Sequence, residues 1–99
     1  MDVFKAIADP RRREVIAILA DNGPSTISFL SHHFAATRQA TTKHLNILQA
    51  AGLLDIETAG RERLCSLNLD AMAEVKEWVD FYSDFWNRKL NSLSDFLGE

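Results

Sequence analysis

Apolar residues recur at helical spacing through the first fifty positions of the chain. The segment "VFKAIA" predicts a short first helix, and "PRRREVIAILADN" predicts a second one with an apolar stripe. Asp9 is a typical N-cap residue, and Pro10 suits the first helical position, where a missing N–H costs nothing. Gly23 followed by Pro24 predicts the end of the second helix.

A third and a fourth helix follow, separated by the short link "AAT". Ser25 or Thr26 can cap the third helix, Thr37 can cap the fourth, and Gly52 supplies a stop. In each helix, residues spaced three and four apart share one face that we expect to be buried. They are Ile27, Leu30 and Phe34 in the third helix and Thr41, Leu45 and Leu48 in the fourth. Residues 25–52 therefore have the outline of a helix-turn-helix.

After Gly52 the pattern changes from helical to alternating. "LLDIE" and "RLCSLN" predict two strands, with Leu54 and Ile56 on one face of the first and Cys65 and Leu67 on one face of the second. The intervening "TAGR" contains a glycine and predicts a hairpin turn. We expect residues 53–68 to form a wing.

The last segment predicts one long amphipathic helix, with Asp70 as N-cap and residues 70–97 as its span. Its apolar positions alternate between spacings of three and four, and they are Met72, Val75, Val79, Tyr82, Trp86, Leu90, Leu93 and Leu97, with Trp78, Phe81 and Phe85 in a second row. A helix of this length is about 40 Å long, more than one small domain can cover. We expect the aromatic face to pack on the same helix of a second subunit rather than fold back on its own core.

Composition points to a single globular domain over residues 1–99. The hydrophobic fraction is 46% and the charged fraction 25%, both ordinary for a folded domain. The apolar runs are far shorter than a membrane span, and Asp2 directly follows Met1 where a signal peptide would have a basic segment. We therefore expect a cytoplasmic protein without a membrane partner.

Charge is unevenly divided, although the net charge is −3. Residues 1–68 contain eight Lys or Arg and seven Asp or Glu, whereas residues 69–99 contain three and seven. A polyanion partner responds to the local face rather than to the total. An acidic chain can thus still present a DNA-binding surface.

The outward face of the fourth helix has donors and no carboxylate. Arg38, Gln39 and Asn46 have groups that can pair with purine edges in a major groove, while Thr42 and Lys43 suit phosphates. The alternative is an ordinary solvated polar face. Two arginines of the hairpin, Arg61 at its tip and Arg63 two residues on, favour the DNA interpretation because they can reach the flanking backbone or minor groove. The run Arg11, Arg12 and Arg13 fits either phosphate contacts or pairing with Asp2, Asp9 or Glu14.

Three segments, "FKAIADPRRREVIAIL", "TRQATTKHLNILQAAGLL" and "GRERLCSLN", resemble the winged helix-turn-helix repressors of the ArsR family over essentially the whole chain. The resemblance implies a mainly α fold with a small β-hairpin wing, and a homodimer built on the first and last helices. It places on the DNA side Arg38, Gln39, Thr42, Lys43, His44, Asn46, Arg61 and Arg63. The expected dimer interface contains Val3, Phe4, Val75, Val79, Tyr82, Trp86, Leu90 and Leu93.

Both metal-binding motifs of that family are missing from this chain. The third helix, "ISFLSHHF", has no thiol, and Trp86 stands in "DFW" where the last helix of metal-sensing members has a histidine. His32 and His33 are adjacent, point about 100° apart and fit an exposed helical surface. Cys65 is the only cysteine and fits a small buried apolar residue. We expect no metal site and no cofactor, and the sequence does not indicate an inducer.

Together with the donor-rich face of the fourth helix, the resemblance implies a transcriptional repressor that binds an inverted-repeat operator in double-stranded DNA. One alternative is a winged-helix module that docks a protein partner through its aromatic tail and has lost DNA binding. A second alternative is a repressor that responds to a metal or an oxidant through a non-standard site. No motif for an enzyme is present: the chain has neither a glycine-rich phosphate loop nor a nucleophile elbow.

Overall fold

The computed structural model describes residues 2–34 and 36–98, which form five helices and three strands. In chain order they are α1 (Val3–Ala6), α2 (Pro10–Asn22), β1 (Ser25–Thr26), α3 (Ile27–His33), α4 (Arg38–Ala50), β2 (Leu54–Ala59), β3 (Glu62–Leu67) and α5 (Leu69–Phe96). Ala35, in the link between α3 and α4, lies outside the described residues. None of these helices is long and apolar enough to cross a lipid bilayer.

Side-chain caps define where α2, α3 and α4 begin. Asp9 accepts a hydrogen bond from the Arg11 backbone N–H at 2.8 Å. Thr26 and Thr37 each accept one from the third residue of their helices, at 3.1 Å. The predicted caps of these three helices are confirmed, because a hydroxyl or carboxylate satisfies N–H groups that the helix itself leaves free.

The cap of α5 was predicted at the wrong residue. Asn68, not Asp70, accepts from the backbone N–H groups of residues 70 and 71, at 3.1 and 3.3 Å. The helix therefore begins at Leu69 and ends at Phe96, a length of 28 residues. Asp70 lies in its first turn, where its negative charge interacts favourably with the positive end of the helix dipole.

The sheet has three antiparallel strands in the order β1-β3-β2, where the sequence predicted a two-stranded hairpin. The additional strand, β1, has only two residues, too few to show an alternating pattern, and Ser25 pairs with Cys65 of β3. β2 ends at Ala59 and β3 begins at Glu62. The connection therefore consists of Gly60 and Arg61 and is shorter than the predicted "TAGR". Gly60 has a φ of +65°, a left-handed conformation that glycine adopts without strain.

The core lies where α2, α3 and α4 meet the base of the sheet. Its buried residues include the predicted inward face of α4, formed by Thr41, Leu45 and Leu48. Cys65 is fully buried beside them and occupies the small apolar position expected for it. In α2 the buried stripe is formed by Val15, Ile18 and Leu19, whereas Ile16 is only partly buried against the core.

Among the described residues, only the first turns of α5 pack on the rest of the chain. Ala71, Met72 and Val75 are partly buried against the core, and the ring of Trp78 lies 5.7 Å from that of Phe4. Beyond this point the helix projects outward, which gives the molecule a long dimension of 63 Å. The large apolar side chains of the projecting part are 39–86% exposed, and they are Val79, Phe81, Tyr82, Phe85, Trp86, Leu90, Leu93, Phe96 and Leu97.

The residues predicted at a dimer interface therefore divide into two groups. Val3 is 9% exposed and belongs to the core of its own chain, and Phe4 and Val75 are partly covered. Val3 thus has little surface left for a partner, since α1 packs inward. The other five predicted interface residues are 43–56% exposed within the described chain, and they are Val79, Tyr82, Trp86, Leu90 and Leu93.

Candidate nucleic-acid interface

The outward face of α4 carries a row of exposed polar side chains. Arg38, Gln39, Lys43 and Asn46 are exposed, and the side chains of the opposite face are buried. No Asp or Glu occurs between Arg38 and Ala50. The face therefore offers guanidinium, amide and ammonium donors without a carboxylate that would repel a polyanion.

Two other residues predicted on this face, Thr42 and His44, are less available for contacts with DNA. Thr42 is half-buried, and its hydroxyl donates to the Arg38 backbone carbonyl at 2.7 Å. A phosphate contact from that hydroxyl would have to replace this bond. His44 is half-buried and has its Nδ1 inside the protein, next to α2. His44 thus lies apart from the exposed row.

A hydrogen-bonded chain joins α4 to α3 and to the wing. Arg38 donates from Nη1 to the Ser28 hydroxyl at 2.8 Å, and that hydroxyl donates to Oε2 of Glu62 at 3.3 Å. All three side chains are near the surface, so the chain orients Arg38 without removing it from solvent. Ser28 and Glu62 were not predicted from the sequence, because 34 positions separate them and no local pattern links them.

The wing places its two arginines at its far end. Arg61 is in the turn and Arg63 lies opposite Thr58, and both arginines are exposed. Side chains alternate along a strand, so Arg63 lies on the same face of β3 as the buried Cys65, two residues away. The same face of β3 therefore covers the core at Cys65 and carries the cationic side chain of Arg63 nearer the tip of the wing.

Of the three consecutive arginines, two are used inside the molecule. Arg12 donates from Nε to the Ala6 carbonyl at 2.6 Å and lies 3.6 Å from Asp9. Arg13 donates to the carbonyls of Ile7 and Ala8 at 2.7 and 3.0 Å. Arginines at the carboxyl end of a helix satisfy its free carbonyls and complement its dipole, and here they close α1.

Contacts at the start of α2 lower the pKa of the Asp9 carboxyl below its ordinary value. The hydrogen bond from the Arg11 backbone N–H is the main cause, and the Arg12 guanidinium adds to it. Pairing with Asp9 was one of the two interpretations of the arginine run, and it holds for Arg12. Arg11 is exposed and points elsewhere, toward α3 and α4.

Metal-ligating side chains are not gathered into a site. Within residues 2–34 and 36–98, no cluster of three or more His, Cys, Asp or Glu side chains has a geometry suited to a metal ion. His32 and His33 are both exposed, as predicted. The ring of His33 packs near Phe29 and Phe34, at centroid distances of 5.7 and 6.4 Å.

Comparison with known proteins matches the chain to transcriptional regulators. The family model described as bacterial regulatory protein, arsR family, matches residues 9–55. The transcriptional repressor SdpR of Bacillus subtilis (strain 168) is 32% identical over 92 residues, which cover 93% of this chain and 98% of SdpR.

Solved structures agree with these matches. The crystal structure of a possible transcriptional regulator for arsenical resistance is 32% identical, with a TM-score of 0.76 over 83% of this chain and 84% of that one. The solution structure of a homodimeric winged helix-turn-helix DNA-binding domain from Mycobacterium bovis is 22% identical, with a TM-score of 0.69 over 83% and 75% of the two chains. The fold is therefore a winged helix-turn-helix, with α3 and α4 as its two helices and β2 and β3 as its wing.

Proposed function

Because the chain belongs to the arsR family of bacterial regulatory proteins, we propose that it is a transcriptional repressor that binds an operator in double-stranded DNA as a homodimer. The observation that carries this proposal is the exposed face of α4, which has basic and amide side chains and no carboxylate. SdpR, with which the chain aligns over nearly its whole length, is named a transcriptional repressor. A dimer bound over a promoter would repress by blocking polymerase.

In this proposal α4 enters the major groove. Arg38, Gln39 and Asn46 read base edges, since each has a bidentate group that matches a purine. Lys43 contacts phosphates. His44 and Thr42 have secondary roles, because one is turned toward α2 and the other already donates to the backbone.

The wing supplies the flanking contacts. Arg61 and Arg63 are placed to reach the backbone or the minor groove beside the site read by α4. Glu62 lies between them in sequence, but its carboxylate accepts the Ser28 hydrogen bond. This bond does not remove the negative charge of Glu62, so the wing tip has two cations and one anion and is cationic on balance.

The projecting part of α5 supplies the dimer interface. An exposed apolar patch of this size on a helix is typical of a protein interface. The Mycobacterium bovis domain with the same fold is described as homodimeric. We place Val79, Tyr82, Trp86, Leu90 and Leu93 at its centre, with Phe4 and Val75 at its inner edge.

Two-fold symmetry then determines the operator. Two copies of α4 would enter successive major grooves about 34 Å apart, so the operator is an inverted repeat. The excess of acidic residues in the last third of the chain lies on α5 and not on the proposed DNA face. We infer a cytoplasmic location, because that is where a bacterial operator lies.

Selection of bound duplexes from a random pool by the purified protein tests the proposal. We expect enrichment of an inverted repeat with half-sites about one helical turn apart. A variant with Gln39→Ala and Asn46→Ala serves as a matched control, and it should enrich a weaker or different motif while it stays folded. The proposal fails if the wild-type protein enriches no duplex, which is the outcome expected of a module that only docks proteins.

A further inference from the structure

A cavity of about 200 Å³ lies between α2, α3 and α4, on the side of α4 away from the proposed DNA face. Its size is sufficient for a small molecule, since a cavity of about 150 Å³ can bind benzene. Both polar and apolar side chains line it. The main ones are Arg11, Glu14, His33 and His44, with Val15 and Phe34 as the apolar wall.

His44 lines the cavity, and its buried Nδ1 lies behind the cavity wall. Nδ1 of His44 is buried and has no hydrogen-bond partner among the residues that the structure describes. A buried nitrogen without a partner costs free energy and is rare in folded proteins. Nδ1 is closed to solvent in this structure, so a ligand in the cavity would contact other atoms of His44 and not this nitrogen.

Two opposite charges face the same cavity and are not used by the fold. Arg11 and Glu14 lie three residues apart on one face of α2. Within the described chain neither side chain makes a hydrogen bond or an ion pair. Arg12 and Arg13, in contrast, are bound to carbonyls of the α1 end. Arg11 is therefore the arginine of the run that remains available for a ligand.

These charges restrict the chemistry of the ligand. A simple carboxylate would pair with Arg11 but would also face Glu14, and a simple amine would have the reverse problem. A molecule with both a carboxylate and an ammonium group satisfies both residues. Val15 and Phe34 leave room for an apolar side chain beside them.

We propose that this cavity binds a free α-amino acid with an apolar side chain and that its occupancy changes the affinity of the protein for DNA. Arg11 binds the carboxylate, Glu14 binds the ammonium group, and His44 forms part of the wall beside them. The second part of this proposal rests on the proposed function, whereas the first part does not.

Coupling to DNA follows from the position of His44. Ala40, Thr41 and His44 line the cavity from α4, the helix whose other face carries Arg38 and Lys43. A ligand held between α2 and α4 favours one placement of α4 over others. Since coupling is reciprocal, DNA must change the affinity for the amino acid by the same factor that the amino acid changes the affinity for DNA.

Binding is tested first without DNA, by calorimetry and by the NMR signals of the His44 ring in the full chain. The probes are L-leucine, 4-methylpentanoate and 3-methylbutylamine, which share one apolar group and differ in charge. We expect L-leucine to shift the His44 signals and to bind about tenfold more tightly than either of the others. Equal binding of 4-methylpentanoate and L-leucine would overturn the assignment, and so would a response to Zn²⁺ alone or to none of these probes.

Variants identify the residues involved. Glu14→Gln should make 4-methylpentanoate bind as well as L-leucine, and Arg11→Gln should weaken L-leucine about tenfold. Asp21→Asn is the matched control, because it makes the same kind of change at an exposed position of α2 outside the cavity. All three replace exposed side chains, and circular dichroism checks that each variant is folded. An equal effect of Asp21→Asn and Glu14→Gln would refute the site.

The DNA measurement then separates the two parts of the proposal. L-leucine should change the dissociation constant of the selected duplex in the wild type, and Arg11→Gln should need about ten times more L-leucine for the same change. Leucine binding without any change in DNA affinity would refute the regulatory part. Absence of DNA binding with intact leucine binding would refute the proposed function and the regulatory part that rests on it, and would leave the binding part standing.

Discussion

Nη1 of Arg38 lies 2.8 Å from the hydroxyl of Ser28, and this hydrogen bond links the first residue of α4 to the helix before it. Ser28 in turn donates to Glu62, next to the turn of the wing. The guanidinium is therefore held in one orientation before it meets a ligand. Preorganisation of this kind reduces the entropy lost when a side chain is fixed on binding.

Replacement of the serine should reduce sequence preference. In Ser28→Ala the arginine loses its partner, and we expect operator binding to weaken by about 0.5–1.5 kcal/mol relative to random duplex. Fluorescence anisotropy on both duplexes measures the difference. In an Arg38→Ala background the same serine change should have no further effect. A full effect in that background would show that Ser28 acts independently of Arg38.

Removal of a phosphate contact should weaken binding to all duplexes alike. Lys43→Ala and Arg61→Ala each remove one cation per protomer, so each should lower the salt dependence of binding by about two for a dimer. Gln39→Ala provides the comparison. It should leave the salt dependence unchanged and cost about 1–3 kcal/mol of discrimination at one base pair. Identical behaviour of the lysine and glutamine variants would contradict the division into phosphate and base readers.

Disruption of the α5 face should separate the subunits. Val79→Asp places a charge in the apolar patch, and Trp86→Ala removes a side chain that is 45% exposed in the single chain. We expect monomer or insoluble protein from both in sedimentation velocity, because the patch loses its cover. Asp84→Asn, at an exposed polar position of the same helix, should remain dimeric. A wild-type protein that sediments as a folded monomer would refute the dimer.

Adjacent arginines should differ in their contribution to stability. Arg12→Gln removes a charged hydrogen bond to the Ala6 carbonyl and the ion pair with Asp9, and we expect a loss of about 1–3 kcal/mol of unfolding free energy. Arg11→Gln, one residue away, should be nearly neutral because its side chain makes no such bond within the described chain. Urea unfolding of the two variants decides the matter. Equal losses would mean that Arg12 does not close α1 as described.

The single thiol should be unreactive in the folded protein. Burial raises the pKa of Cys65 above its ordinary value, so the sulfur is protonated at neutral pH and closed to solvent. A maleimide should label it only after unfolding, and hydrogen peroxide should leave DNA affinity unchanged. Rapid labelling under native conditions would instead support the alternative of an oxidant-responsive repressor.

Periodicity predicted those parts of the fold that depend on neighbours along the chain. The inward face of α4 at Thr41, Leu45 and Leu48 is an example, since a helical stripe is fixed by spacing alone. The cap of α5 was missed because Asn68 and Asp70 are both good capping residues and lie two positions apart. The tertiary context selects Asn68, whose backbone N–H also bonds to the Leu53 carbonyl.

Features that depend on contacts between distant segments could not be predicted in this way. Arg12 closes α1 rather than facing outward, and nothing in "PRRRE" distinguishes it from Arg11. The link from Arg38 through Ser28 to Glu62 spans two helices and a strand. The sequence could thus indicate the composition of the DNA face, whereas the orientation of its side chains required the structure.

The projecting half of α5 makes the amount of protein in the cell part of its mechanism. In the proposed dimer, this half is covered only when two copies meet, so the population of paired molecules rises with the square of the free monomer concentration while that concentration is low. Operator occupancy then increases more steeply than protein synthesis does. A repressor built in this way sets a threshold, below which newly made chains stay unpaired and expose Trp86 and its neighbours to proteases.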